Sequence, residues 1–324
     1  MSSSTNQPNP SKRYIQNSFL QRFGLLLVFL VLGFVLSLIS DRFLQVSNLV
    51  NITRQASING IVSVGMTLVI LTGGIDLSVG SVLALSAVIG ADLMKQGIPV
   101  IFAVLIALSI GAVMGAFNGL MITRWRIPPF IATLGTLTVG RGLTLMYTQG
   151  QPVTGLPESF RFLGAGSVGP IPMPIIVAAI TFVLAYIMLT RTRTGEHIYM
   201  LGDNPTAARL AGINIHATTI LVYALSGFCA ALAGLVLIAR LDSAQPVIGS
   251  GYEFNAIAAV VVGGTSFAGG EGTLIGTLLG ALLLETLNNG LNLMNVSSLW
   301  EQVVKGVVIA GSLLFYKAIN RSSR

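Results

Sequence analysis

The chain has 324 residues, of which 53% are hydrophobic and only 9% charged, against about 25% charged in an average soluble domain. Lys and Arg number 18 and Asp and Glu 11, a net charge of +7, and the mean hydropathy is +0.82. So few charges cannot cover a soluble protein of this size, which excludes a soluble enzyme, a disordered chain and a nucleic-acid binder; in a membrane chain a basic excess reflects the Lys and Arg bias of cytoplasmic loops.

Residues 1–11 are polar and Ser-rich and read as disordered. With Lys12, Arg13 and Arg22 they make a cytoplasmic tail over 1–22. A charge-free run from Phe23 to Ser40 follows, about long enough to cross a bilayer core. No small-residue cleavage site follows it, so it reads as a retained span rather than a signal. Nine further spans are expected at 55–73, 77–94, 99–123, 129–148, 170–190, 217–239, 254–270, 272–290 and 300–316. Their Leu, Ile, Val, Ala and Gly do not alternate strictly with polar residues, which argues against a β-barrel.

An even count puts both termini on one side. With the N-terminus inside, eleven basic residues fall in cytoplasmic segments and five outside, with Arg141 and Lys305 within spans. That distribution supports cytoplasmic termini. The expected fold is therefore an all-α polytopic membrane protein of about ten transmembrane helices over 23–316, with a cytoplasmic tail at 317–324. Trp125 and Trp300 sit at span ends, where amphipathic rings favour the headgroup level. The 37 glycines exceed the usual level of about 7% and suit close helix packing. The runs 55–91 and 254–290 echo one another, each being two apolar segments broken at a Gly-Gly motif, GGIDLSVGS and GGTSFAGGEGT. This suggests two related halves joined by 191–216, an organisation common in transporters.

Four segments carry chemistry. In GGIDLSVGS, Asp76 suits the cap of the following helix. The motif reads either as a tight turn at the cytoplasmic surface or as a broken helix at membrane depth lining a pathway. The Gly-rich stretch 263–272 lacks the Gly-Lys-Ser/Thr ending of a phosphate-binding loop and reads as a turn or a close helix crossing. In GDNPTAARLAGI, Asn204 suits an N-cap, Pro205 the first helical position and Gly212 the C-terminal cap. The two-turn helix between them is too short to stand alone. It packs on the membrane surface or fits a cleft on a partner, with Ala207 and Ala208 allowing close approach and Arg209 offering a directed charge.

Arg141, Glu285, Lys305 and Glu301 fall toward the outer ends of spans. They either snorkel to the headgroups or line the mouth of a pathway. Asn118, Asn255, Asn288, Asn289 and Asn292 could contact a polar solute or bond between helices. The outer loop 149–169 could form a surface or gate, and Asp242 and Glu253 bracket another outer loop where a soluble partner could dock. His197 and His216 lie in the inside loop without clustered carboxylates or thiols, so no metal site is expected, and Cys229 reads as a small core residue.

LTGGIDLSVGS, PPFIATLGT, TRTGEHIYMLGDNPTAARLAGI, ARLDSAQPVIGSGYE, AIAAVVVGGTSFAGGEGT and NNGLNLMNVSS, in this order, resemble the membrane permeases of bacterial ABC sugar importers. The resemblance runs from about Phe43 to Ile309. It implies a dimer of two permease copies, two ATPase subunits docked from the cytoplasm, and a periplasmic binding protein that delivers a ribose-like monosaccharide. It implies coupling to the ATPase through Gly202, Asn204, Ala207, Ala208, Arg209 and Gly212. Candidates for the pathway or gate are Asp76, Ser78, Asn118, Phe130, Arg141, Asn255 and Glu285. No cofactor and no bond chemistry are expected in this chain. Pro128-Pro129 before Phe130, and the second glycine of GGIDLSVGS, depart from the ribose-type pattern. The alternatives are an ion-coupled transporter relying on Asp76 and Glu285, a passive channel, and a branched-chain amino acid permease.

Overall fold

The computed structural model describes residues 10–297, with side chains from Gly24 onward, and the isolated positions 300, 303, 306, 307 and 311. The expected span at 300–316, with Glu301 and Lys305, and the tail at 317–324 lie outside the described residues apart from those positions. Residues 1–9 of the N-terminal tail lie outside them too.

Twelve helices and four two-residue strands make up the described residues. Helix α1 covers Pro10–Ile39, α2 Val46–Leu71, α3 Val79–Lys95, α4 Val100–Arg124 and α5 Pro129–Thr148. Strand β1 (Val153–Thr154), α6 (Glu158–Ala165), β2 (Ser167–Val168) and β3 (Ile171–Pro172) follow. Then come α7 (Met173–Arg191), α8 (Arg193–Asp203), α9 (Pro205–Leu210), α10 (Ile215–Leu241), β4 (Ser243–Ala244), α11 (Tyr252–Val262) and α12 (Leu274–Leu293). Five of these, α2, α4, α7, α10 and α12, are long and apolar enough to cross a membrane.

Helix α2 is the axis of the bundle, buried without a break from Ala56 to Leu71. It packs against α7, α10, α11 and α12. Helix α12 runs antiparallel to it: Thr67 meets Thr277, Asn59 meets Glu285, and Asn48 meets Asn289. The Asn48–Asn289 amides bond reciprocally, at 3.0 and 2.7 Å. Helices α4 and α10 approach each other closely. Gly111, Gly115 and Gly119 recur every fourth residue and lie against Gly227, Tyr223 and Ile220, so that a Cβ on Gly119 would stand 2.6 Å from the Ile220 Cα. Such spacing lets membrane helices approach backbone to backbone. Helix α1 begins before the expected Phe23, because nothing between Pro10 and Gly24 breaks a helix and proline suits a first position. Arg54 interrupts the apolar run but not α2, which starts nine residues before the expected position 55.

The two Gly-Gly motifs depart most from a simple count of spans. Helix α11 has 11 residues, from Tyr252 to Val262, or about 16 Å at 1.5 Å per residue. It cannot cross a core of about 30 Å. The expected span 254–270 is thus a half-helix followed by an irregular loop over 263–273, where Gly264, Gly269 and Gly270 hold φ values of 87°, 87° and 74°. These are left-handed conformations that glycine adopts without strain. Before α11, residues 245–251 run down from the β4 end in non-helical form, with Gly249 at φ 77° and Gly251 at φ 85°. Helix α3 is likewise preceded by a non-helical stretch, 72–78, that enters the bundle. The two broken spans cross where Gly80 meets Gly249, so closely that a Cβ on Gly249 would stand 2.6 Å from the Gly80 carbonyl oxygen. In the first pair a long helix precedes a short one; in the second the order is reversed.

The ends of the bundle differ. At one end β1 pairs antiparallel with β4, β2 pairs with β3, and Arg161 of α6 reaches Asp242 at 3.5 Å. At the other end α8 and α9 form a compact unit between α7 and α10.

Candidate functional site

At the α8–α9 end the local code for a short helix is carried out as the residues dictate. The Asn204 side chain accepts bonds from the backbone N–H groups of Thr206 and Ala207, both at 3.0 Å. Pro205 takes the first helical position. Gly212 (φ 81°) ends α9, with Gly212 N–H bonded to Arg209 O at 3.1 Å and Ile213 N–H to Ala208 O at 3.0 Å. This is the paired closure that left-handed glycine permits, and both Ala208 and Ile213 are buried. Ala208 therefore faces inward, while Ala207 and Arg209 face out. Leu210, 85% exposed at the tip, joins them. Sequence reasoning missed Leu210, since only the observed phase of α9 separates it from an inward leucine.

Gly202 lies in the last turn of α8 rather than in α9. A Cβ there would overlap the Leu71 carbonyl oxygen and stand 2.5 Å from Gly270 N. Gly270 N–H bonds Leu71 O at 2.9 Å, and the Tyr199 hydroxyl donates to Gly272 O at 3.0 Å. Gly202 thus sits at a joint where the end of α2 and the 263–273 loop meet α8.

Asp76, Ser78 and Asn118 come together in one buried chain of bonds. Asp76 Oδ1 accepts from Ser78 N–H at 3.0 Å and from Ser78 Oγ at 2.6 Å, and its Oδ2 accepts from Ser226 Oγ at 2.8 Å. Asn118 Nδ2 donates to Ser78 Oγ at 2.8 Å, and Thr136 Oγ1 donates to Asn118 Oδ1 at 2.5 Å. Helices α3, α4, α5 and α10 are joined by this set. Asn118 lies six residues inside the end of α4 at Arg124, or about 9 Å along the axis. Ser226 lies eleven residues inside α10, about 16 Å. Of the two readings of GGIDLSVGS, the surface turn is therefore replaced by a break inside the bundle. The reason is the unwound 73–78 backbone, which carries Asp76 inward to Ser226. Asp76 is 1% exposed, walled by protein on all sides of this single chain.

Phe130 stands apart from that network, 53% exposed on the second residue of α5. Arg141, on the same helix, donates from Nη1 to Pro246 O and Ile248 O, both at 2.9 Å. It thereby clamps the unwound 245–251 segment. Glu253, expected in an outer loop, is instead buried in the first turn of α11, with Oε1 accepting from Gly251 N–H at 3.3 Å. The descent of 245–251 carries it there. Asn255 follows on α11, half-buried. Glu285 is also buried, accepting from Asn59 Nδ2 at 3.1 Å and Asn288 Nδ2 at 3.5 Å. The site candidates thus form four groups: the Asp76 network, the Arg141 clamp with its loop, the Glu285 amides, and the α8–α9 unit. Among the described residues no group of three His, Cys, Asp or Glu could hold a metal ion.

These features define a polytopic membrane protein with broken spans and a small two-helix unit at one end. The chain belongs to the family described as branched-chain amino acid transport system / permease component, whose model matches residues 48–313. It is 47% identical over 314 residues to the ribose import permease protein RbsC of Escherichia coli strain K12, covering 96% of this chain and 98% of that one. It is 46% identical to the protein of the same name from Bacillus subtilis strain 168, over 94% of this chain and 95% of that one. The D-allose transport system permease protein AlsC of Escherichia coli strain K12 is 38% identical over 88% of each chain. No solved structure matches the chain.

Proposed function

We propose that this protein is the permease of an ATP-driven importer in the bacterial inner membrane, and that it carries a ribose-like monosaccharide inward. It works as a pair of copies, each with about ten spans and both termini in the cytoplasm. ATPase subunits dock on α9, and a binding protein delivers the sugar at the β1–β4 end. Hydrolysis of ATP belongs to the partner subunits.

The observation that carries this reading is the α8–α9 unit. A capped helix of six residues cannot hold itself, yet it offers Ala207, Arg209 and Leu210 outward while its base is locked at Gly202. That is the form of a lever. A push on α9 moves α8, and α8 bears through Gly202 on the end of α2 and on the loop that opens α12. The identity to ribose permeases over nearly the whole chain supports the choice of sugar. Neither a channel nor a stand-alone ion-coupled transporter has a use for such a unit.

The test is reconstitution in liposomes with the cognate ATPase and binding protein. Uptake of labelled ribose should require internal ATP and be reduced by excess unlabelled ribose more than by allose or galactose. Competition by leucine, or uptake driven by an ion gradient without ATPase, would refute the reading.

A further inference from the structure

Where α4, α9 and α10 converge, a cavity of about 320 Å3 opens at the α8–α9 end. Arg126, Arg209 and His216 line it, with two threonine hydroxyls and an apolar wall of Ile122 and Ile215. Two stretches far apart in sequence, 122–126 and 209–219, thus bring two guanidinium groups and an imidazole to one hollow. None of these three side chains has a hydrogen-bond or ion-pair partner among the described residues. The hollow also sits at the first turn of α10, whose cap Asn214 accepts from Ala217 N–H at 3.0 Å. The positive end of a 27-residue helix adds to its attraction for an anion.

The backbone at Arg126 is unusual. It has φ 54°, and Ile127 N–H bonds back to Met121 O at 3.2 Å. This is the left-handed position after a helix end, where glycine is the common choice and a side chain is strained. The chain nevertheless places an arginine there, on the lining of the cavity.

The depth of the cavity selects the kind of anion. Trp125, beside Arg126, is 56% exposed and meets Phe117 edge-on at 5.9 Å. Along α4 the neighbouring Val113, Phe117 and Leu120 are exposed apolar side chains of a spanning helix. Trp125 therefore sits where the lipid-facing surface ends and headgroups begin. A hollow that is basic on one side and apolar on the other, at that level, matches a phosphate with a hydrocarbon tail.

We propose that the cavity binds the phosphate headgroup of an anionic phospholipid of the leaflet next to α9. The phosphate lies between Arg126 and His216, with Ile122 and Ile215 against the upper part of its chains. A lipid held there ties α9, which takes the ATPase, to the end of α4. The site is independent of which solute the protein carries.

The experiment uses the full chain with Trp300→Phe, which leaves Trp125 as the sole tryptophan. Its fluorescence is followed in nanodiscs as phosphatidylglycerol or phosphatidylcholine with brominated chains replaces the unlabelled lipid. Brominated phosphatidylglycerol should half-quench at a mole fraction roughly tenfold lower, the size expected for one or two cations near an anionic headgroup. The Arg126→Gln/His216→Gln variant should lose that preference, and Arg126→Lys should keep most of it. Equal quenching by the two lipids, or a preference that survives the double substitution, would overturn the proposal. Loss of the preference on adding inorganic phosphate would assign the site to small anions instead. An unchanged lipid response with weakened ATPase capture by Arg126→Gln would assign it to an acidic group of the partner.

Discussion

Substitution of Asp76 separates a structural carboxylate from one that carries ions. Asp76 accepts three bonds from Ser78 N–H, Ser78 Oγ and Ser226 Oγ, at 3.0, 2.6 and 2.8 Å. Asp76→Asn keeps this geometry. Its oxygen accepts from both Ser78 groups, and its amide N–H2 turns to donate to Ser226 Oγ. Asp76→Leu removes every acceptor at a position buried in the bundle. Each orphaned buried donor costs about 1–3 kcal/mol. The two serine hydroxyls can rotate toward helix carbonyls, but Ser78 N–H cannot, so the net loss is on the order of 3 kcal/mol. For a chain of this length that corresponds to a fall of roughly 4–5 °C in melting midpoint. Both variants are purified in detergent for thermal unfolding and reconstituted for ATP-driven sugar uptake. Asp76→Asn should melt within a few degrees of the parent and transport, whereas Asp76→Leu should melt early and transport poorly. If Asp76→Asn abolishes uptake while the midpoint is unchanged, the charge itself takes part in transport. The structural reading would then fail, and the ion-coupled alternative would stand in its place.

Gly202→Ala should leave the protein folded but overlap the Leu71 carbonyl, at the typical overpacking cost of about 1–3 kcal/mol. ATP hydrolysis by the complex should persist with uptake strongly reduced, and uptake at the parental rate would refute the joint. Asn204→Ala should weaken α9 by about 1 kcal/mol through loss of its cap, seen as reduced ATPase retention on a pull-down, with Asn204→Ser restoring it. For the Asn48–Asn289 pair, a double-mutant cycle to leucine should give a coupling near 0.6–1.7 kcal/mol, read from thermal unfolding. Arg141→Ala releases the carbonyls of Pro246 and Ile248 and should increase hydrogen exchange across 245–251 while α2 stays protected.

Much of the fold was legible because hydropathy and helix punctuation are local. The helix at 129–148 is found at the expected residues, started by Pro129 and ended at Thr148. The short α9 is likewise written in Asn204, Pro205 and Gly212. Other features were not legible. Residues 254–270 carry no charge, and nothing in that composition tells a full span from a half-helix and a loop. The division depends on Gly263 and Gly276 packing backbone to backbone. Glu253 reads as an outer-loop charge, and Glu285 as a span-end charge that either snorkels or lines a pathway. Their burial comes from partners on other elements, such as Asn59, which is 226 residues from Glu285 in the chain.

Patterns along the chain were enough to establish a membrane protein of many helices, the place of its short helix at 205–210, and the family it resembles. Each follows from residues within a few turns of one another or from matching strings. Packing between distant segments was needed to show that the break at 72–78 opens inside the bundle and that the start of α3 crosses the unwound 245–251 segment at Gly80 and Gly249. Packing also put Asp76 in a closed network, and brought Arg126, Arg209 and His216 to one cavity. An unwound segment inside a membrane protein is tolerated only where other segments surround it, and a hydropathy profile does not record which segments those are.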